Sequence, residues 1–397
     1  MPAPTLGSKT VTPAKPGAAK APAVIIPFTR AARKKSKIFL SETVTLSGAV
    51  QQLAPILIPA GGYLRRIEME VVAVAAGNTA AVAFNNDGPF AMFNAIGVQS
   101  ASGDTIHPNM SGFTWSRLQK YGAFSSNGAN APESDPTYSV ITGAVAAGGS
   151  FTFSQDVPFE FDERDGSGSL PNMASNQQFQ LNVAIGSLTQ IYSVAPTAAP
   201  TVTITFTMHY WAMPAAVNAA GIAQQTAPPT NNLLMITQSS QPAITPSSDQ
   251  VIQSVNVGNA IRFIYFELRT AAGVRTDADW PNVFNLLVNN DIWMAKRKIG
   301  WKRQLGKDYQ LNGASNAVPT AGALDNGVFV LDDFINSGSQ GNIASGSSNR
   351  DLPLVTNSAT ALDFEFNQFG AAASQLIIVT CSLRIPDPAA FYAPKGV

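Results

Sequence analysis

The sequence predicts an all-β chain of two tandem β-sandwiches, and three observations predict it. The first is a pair of alternating strands that each stop at a proline, 201–211 ahead of Pro214 and 374–385 ahead of Pro386. The second is that each closes a run of short β segments broken by one helix-like segment, beginning near Asn109 and near Asp291. The prolines are offset by 172 residues and the helix starts by 182, which predicts one β-rich unit used twice. The third is regular punctuation by Gly, Pro, Asn and Ser turns, the pattern of sandwiches rather than of parallel α/β folds.

Taken in order, residues 1–38 are rich in Pro, Ala and Lys and follow no period, which predicts a flexible basic arm with an apolar docking patch at 23–28. The first strand is expected at 39–46. Residues 64–72 set Ile67, Met69 and Val71 against Glu68 and Glu70, a strand with one wet face. Asn85-Asn86-Asp87-Gly88 and Ser102-Gly103-Asp104 are turns around a strand at 90–98. Residues 110–121 break the alternation: Phe113, Leu118 and Tyr121 behind Ser111 as a cap predict a short amphipathic helix. The Gly-, Ala- and Ser-rich stretch 122–150 predicts a long loop. Strands resume at 151–153, 159–161 and 179–185. Residues 201–211 then set Val202, Ile204, Phe206, Met208 and Tyr210 against four threonines and His209.

Residues 215–230 are Ala-, Gln- and Pro-rich and read as a linker. The second half repeats the plan with a strand at 261–269, a helix at 291–306 and a strand at 328–331 after Asp325-Asn326-Gly327. A Gly/Ser/Asn loop follows at 336–350, and strands at 362–366 and 376–385 close the sheet. The expected domains are the arm (1–38), a first sandwich (39–214), the linker (215–230) and a second sandwich with a C-terminal tail (231–397). Long loops fit the jelly-roll variety of sandwich, here a double jelly roll with one short helix in each half.

Charged residues make up 13% of the 397, about half the usual share, while 45% are hydrophobic. Such a surface faces other protein, or is covered by Ala, Ser, Thr, Asn and Gln. The net charge is zero but unevenly placed. Lys9, Lys15, Lys20, Arg30, Arg33, Lys34, Lys35 and Lys37 precede the first acid, Glu42; removing these eight from 25 basic residues leaves 17 against 25 acids. A basic arm on an acidic body points to an anionic partner for the arm. The single cysteine, Cys381, excludes an internal disulfide framework and reads as a buried thiol in a strand, compatible with a reducing cytoplasm. No run of 18 apolar residues would span a membrane, and the N-terminal segment lacks the order of a secretory signal.

Chemistry has little to stand on, and neither catalytic residues, cofactor nor metal site is expected. His107, before Pro108, reads as polar loop surface, and His209 as paired with a strand neighbour. Two histidines and one cysteine give no zinc spacing, and there is no Gly-x-Ser-x-Gly elbow or phosphate-binding glycine loop. Asp162, Glu163 and Asp165 beside Arg164 read as a charged turn, with glycoside hydrolysis or calcium as the functional alternative, and Asp332-Asp333 as a solvated corner. Lys296, Arg297, Lys298, Lys302, Arg303 and Lys307 are interleaved with Trp293, Ile299, Trp301 and Leu305. They would either touch phosphate or sit at the dipole-favoured end of a docked helix.

The stretch Val157-Pro158-Phe159-Glu160-Phe161, the acidic 162–166, Ser169-Leu170-Pro171-Asn172 and the strand 178–185 together resemble the first-domain segment of tectivirus-type major capsid proteins. Gly88-Pro89 leading to Ser111-Gly112-Phe113-Thr114-Trp115 resembles that family's strand-to-helix passage, and the order is matched over most of 39–390. The resemblance implies a double jelly roll that forms pseudo-hexagonal homotrimers in the icosahedral shell of a bacteriophage-lineage virus, enclosing an internal membrane and genome. It implies a virion protein, assembled in the host cytoplasm, that contacts neighbouring capsomers, penton and minor capsid proteins. Arg30, Arg33, Lys34, Lys35 and Lys37 would then face the interior and meet lipid headgroups or genome. The competing readings are a carbohydrate-binding sandwich of tail-spike or lectin type and, last, a glycoside hydrolase using Asp162 or Glu163.

Overall fold

The computed structural model describes residues 25–122, 138–161, 166–228, 234–309, 311, 323–332 and 354–384. Alternation decides most of the strands. Along 66–74 and 201–208 every second side chain is buried while its neighbours are more open, as with Ile67, Met69 and Val71 against Glu68 and Glu70, whereas 260–268 is buried on both faces.

The first half opens with a one-turn helix α1 (Phe28–Ala31) and β1 (Arg33–Thr45). It continues through β2 (Gln51–Gln52), β3 (Ile56–Leu57), β4 (Gly62–Val74), β5 (Ala83–Phe84), β6 (Phe93–Gln99) and β7 (Thr105–Met110) to α2 (Gly112–Tyr121). After the helix come β8 (Tyr138–Val140), β9 (Phe151–Pro158), β10 (Leu170–Asn172), β11 (Gln180–Ile185), a short α3 (Leu188–Ile191), β12 (Tyr192–Val194) and β13 (Thr201–Ala212). The second half runs β14 (Leu234–Ser240), β15 (Gln250–Gln253), β16 (Ala260–Thr270), β17 (Val283–Val288) and β18 (Asp291–Arg297) to α4 (Lys298–Tyr309). It ends with β19 (Val328–Leu331), β20 (Leu354–Val355), β21 (Leu362–Phe366) and β22 (Ala373–Arg384).

Each half is a pair of antiparallel sheets with matching strand order. In the first, β1-β13-β4-β9-β8 faces β2-β11-β6-β7; in the second, β14-β22-β16-β19 faces β15-β21-β17-β18. The correspondence covers four strands of each sheet, while β8, β3 and the β5–β12 pair have no counterpart among the described residues of the second half. Each last strand lies between the first and the long central one, each helix follows the edge strand of the smaller sheet, and β10 and β20 pair off the path with β4 and β16. This is the eight-stranded wrap of a jelly roll, made twice. The closing strands are both 12 residues long and 172 apart at each end. Among the described residues no ladder joins the halves.

The halves nevertheless share one continuous apolar core and stand side by side, pointing the same way. The registers establish this. Arg33, Ala212 and Gly62 mark one end of the first half, and Leu234, Arg384 and Ala260 the matching end of the second. At that entry end the Arg262 guanidinium lies 5.3 Å over the Phe161 ring. At the opposite end Asp87 binds Arg269 and Arg275.

Four expectations are corrected. The first strand begins at Arg33, not Phe39, because residues 33–38 continue the ladder onto β13, and an edge strand tolerates exposed lysine. The expected helix at 291–306 is a strand for its first seven residues and a helix only from Lys298. Asn289 and Asn290 both take positive φ, 53° and 68°, and turn β17 back into β18 as a hairpin. Residues 90–92 form a 3-10 turn before β6. Residues 159–161 leave the sheet, with the Phe159 and Glu160 amides donating to the Arg65 carbonyl. Of the expected loop 122–150, residues 123–137 lie outside the described residues, as do the loop at 336–350, residues 162–165 and 1–24, and the tail from Ile385 onward.

Candidate functional site: the polar seam and the basic edge strand

The richest chemistry lies between the halves. The Ser111 hydroxyl accepts from the Thr114 amide at 3.1 Å and caps α2, as its position in the sequence predicts. All ten residues of that helix are buried, including Arg117 and Lys120. Their charges are met from the other half. Asp325 receives Arg117 at 3.1 Å, Lys120 at 2.7 Å and the Tyr121 hydroxyl at 2.7 Å. Glu267, wholly buried in β16, accepts from Tyr265 at 2.7 Å and pairs with Arg269. Arg275 donates to the carbonyls of Ala323, Leu324, Asn326 and Asn86 and to Asp87, with its guanidinium 4.1 Å over the Phe113 ring. Lys302 pairs with Asp277 at 3.0 Å and donates to the Asp325 and Val328 carbonyls; burial lowers its pKa and raises that of Asp277.

Such pairs recover through mutual attraction little more than their desolvation costs, so their effect is on specificity. They fix how the two sandwiches register, because any other packing leaves a bare charge in a dry seam. Sequence reasoning missed this network. The signal was Arg262 and Glu267 inside the otherwise apolar run of β16, which is buried over its first nine residues.

His107 belongs to the same seam, which overturns its expected place on a polar loop surface. It is 1% exposed, with ring centroids 5.3 Å from Trp115 and 5.4 Å from Phe159. Nε2 donates to the Pro158 carbonyl at 3.2 Å, so Nδ1 accepts from the Thr237 hydroxyl of β14 at 3.1 Å. Burial pushes its pKa down to about 3. His209 pairs with a strand neighbour as expected: its Nε2 lies 2.7 Å from Glu68, and that hydrogen bond holds the Glu68 carboxyl below its usual range.

The five arm cations are on the edge of the first half. Arg30 is exposed in α1, and Arg33, Lys34, Lys35 and Lys37 are exposed in β1, the outermost strand of its sheet. Lys34 also reaches over the Trp211 ring at 5.1 Å. The expected apolar patch at 23–28 serves the chain itself: Phe28 is buried against Tyr63 and Trp211, and Ile26 bridges Gln224 of the linker. Residues 25–32 are therefore tied to the base of the sheet.

The second basic segment divides. Lys296 and Arg297 end β18, while α4 buries Trp301 and Lys302 and leaves Arg303 and Lys307 exposed. Lys298 donates to the Asp277 and Ala278 carbonyls and Trp301 to that of Val330, as in a helix docked by its apolar side. Asp162, Glu163, Arg164 and Asp165 lie outside the described residues, as does Asp333. Asp332 is buried, not a solvated corner, and accepts from the Tyr309 hydroxyl at 2.5 Å. Cys381 is buried as expected. Among the described residues no group of three or more His, Cys, Asp or Glu is placed to hold a metal, and no helix is long and apolar enough to cross a membrane. A shallow depression of about 360 Å³ lies over Asp249, Asn285, Glu365 and Phe366.

The fold these features define is the double jelly roll, and solved structures share it. The crystal structure of the STIV MCP matches with a TM-score of 0.58 at 13% identity, over 91% of this chain and 99% of that one. A chain in the atomic structure of Sulfolobus turreted icosahedral virus matches at 0.57 and 15%, over 91% and 94%. A chain of the PBCV-1 virus capsid matches at 0.52 and 11%, over 89% and 93%. These neighbours are double jelly-roll viral major capsid proteins, and the likeness to them is one of fold. No protein-family model and no curated protein matches the chain.

Proposed function

We propose that this chain is the major capsid protein of an icosahedral virus and builds the shell as homotrimers of six jelly rolls. One observation carries the reading: both halves have the same strand order, point the same way, and match viral capsid chains over about nine-tenths of the length. The tectivirus-type, bacteriophage lineage is part of this proposal and rests on the sequence resemblance. The domains are a first jelly roll to residue 214, extended back to Arg33, a linker at 215–230 and a second jelly roll at 231–397. Low charge suits permanent contacts with neighbouring capsomers, with penton and minor proteins completing the shell. A structural, non-enzymatic role accords with a seam whose acids are all engaged by cations. The carbohydrate reading draws no support: among the described residues only Tyr138 and Trp293 are aromatics more than a third exposed, and the depression's one aromatic, Phe366, is buried.

In that reading the entry end faces inward, and Arg30, Arg33, Lys34, Lys35 and Lys37 meet an internal membrane's headgroups or the genome. Each cation near an anionic surface contributes about 1 kcal/mol. Electron microscopy of purified protein, with its mass in dilute buffer, tests the tile: pseudo-hexagonal trimers are expected, and a persistent monomer counts against it. Replacing the five cations by Gln should leave the trimer and weaken salt-sensitive binding to anionic vesicles and to nucleic acid. Unchanged binding at low salt rejects the electrostatic role.

A further inference from the structure

One buried pair in the seam is built differently from the rest. Asp277, in the loop from β16 to β17, and Lys302 of α4 are 2% and 1% exposed, and Lys302 Nζ lies 3.0 Å from Asp277 Oδ1. Among the described residues, the other buried acids in ion pairs, Glu160, Glu267 and Asp325, each meet an arginine. A guanidinium stays charged and is a poor nucleophile. A lysine amine is a good one once it has lost its proton. Asp325 also meets Lys120, but the fixed charge of Arg117 holds it as a carboxylate salt, which resists attack by an amine.

Both partners of the Asp277–Lys302 pair are oriented. Nζ donates to the Asp325 and Val328 carbonyls at 2.7 and 2.6 Å, which fixes two of its tetrahedral directions and turns another towards Asp277. On the neutral amine, that direction holds the lone pair. The Phe329 ring covers the ammonium from 4.2 Å. On the acid, Oδ1 also accepts from the Gly327 amide at 2.8 Å, whereas Oδ2 is buried with no hydrogen-bond partner. A carboxylate with one bare oxygen in a dry site is costly, so the pair is drawn towards its neutral form, amine beside carboxylic acid. Burial acts that way on both groups, lowering the pKa of Lys302 and raising that of Asp277, and the charge of Arg275 adds to the effect on Lys302.

We infer that Lys302 and Asp277 join through an intramolecular isopeptide bond between Nζ and Cγ. Nζ attacks Cγ, the Gly327 amide stabilises the charge that develops on Oδ1, and the Cγ–Oδ2 bond breaks. Of the three protons on the ammonium, two pass to Oδ2, which departs as water, and one stays on the amide nitrogen. The step needs no oxidant, metal or co-reactant. Holding the groups in contact removes the entropy cost of their meeting, and a site closed to water protects the product from hydrolysis. The bond ties α4 to the β16–β17 loop beside Asp325, whose carboxylate neutralises Arg117 and Lys120 of α2, so it braces the second half's side of the seam. It lies within one chain and stands whether or not copies assemble.

Mass spectrometry of the full chain, denatured, is the test. The parent should be lighter than its sequence by one water, and a digest should contain a branched peptide joining the segments that carry Asp277 and Lys302. Lys302→Arg and Asp277→Ala should each restore the full mass. An aspartate also loses water when it closes on its own backbone as a succinimide. A loss that persists in Lys302→Arg is of that kind and overturns the isopeptide. The parent spectrum decides the matter even if neither variant folds: full sequence mass after several days in the folded state, or a lighter chain without the branched peptide, rejects the bond.

Discussion

His107 sits sealed between Trp115, Phe159 and Pro158, and burial moves its pKa from 6.5 to about 3. In the folded chain it is neutral over most of the acid range, while in the unfolded chain it takes up a proton below about 6.5. Its contribution is therefore constant above that value and is lost as pH falls from 6.5 towards 3, by about 1.4 kcal/mol per pH unit. Asp156 acts in the opposite sense. Burial pushes its carboxyl up to about 6, so ionising it costs stability as pH rises from about 4 to 6. The two partly mask one another in the parent. His107→Gln keeps a donor for Pro158 and an acceptor for Thr237 and should unmask the Asp156 slope, so that urea midpoints rise relative to the parent as pH falls from 6.5 towards 4. An unchanged difference between pH 6.5 and 4.5 would refute this account of the seam.

At the scale of elements, what could be read from the residues follows a physical division. β13 alternates from Val202 to Met208, before a bulge at His209–Tyr210 shifts the phase and buries Trp211 in place of Tyr210, and α2 begins at a serine cap, so both lie where local pattern places them. The 291–306 segment has apolar residues at spacings that suit a helix, but two asparagines at positive φ reverse the chain just before it. Pairing with β17 then outweighs the helical period as far as Arg297. The start of β1 was hidden for a related reason: Arg33, Lys34, Lys35 and Lys37 look like a solvated tail until β13 is available to pair with. The seam could not be read, because Asp325 meets Arg117 only after some two hundred residues of chain have folded. The hairpin gives a direct test. Asn290→Gly should keep the melting temperature, whereas Asn290→Val, forced into left-handed backbone, should cost about 1–2 kcal/mol in denaturant titration. Equal stability of the two variants would show that the turn does not set the register of β18.

The whole molecule should melt as one unit although it is built twice. Asp325 of the second half neutralises two cations of the first, and Arg275 and Arg269 of the second hold Asp87 of the first. Separating the halves would leave several charges buried without partners, at about 3–5 kcal/mol for each broken pair. Calorimetry of the chain is expected to show a single transition with equal calorimetric and van't Hoff enthalpies. Asp325→Ala should lower that transition without splitting it. Two resolved transitions in the parent would mean that the seam is a loose contact between independent domains.

The parallel stance of the two jelly rolls gives the molecule a pole. Ile26, the linker at Gln224 and the last residue of β22, Arg384, are all at the entry end, while the exposed turn at Gly77, beyond the end of β4, lies at the other. A peptide grafted at Gly77, where nothing lies within 4 Å of the position a Cβ would take, would project away from Ile25 and Arg384. In a curved layer of such molecules, cargo fused near Ile25 and an epitope carried at Gly77 would lie on opposite sides of the wall, sorted by the threading of a single polypeptide.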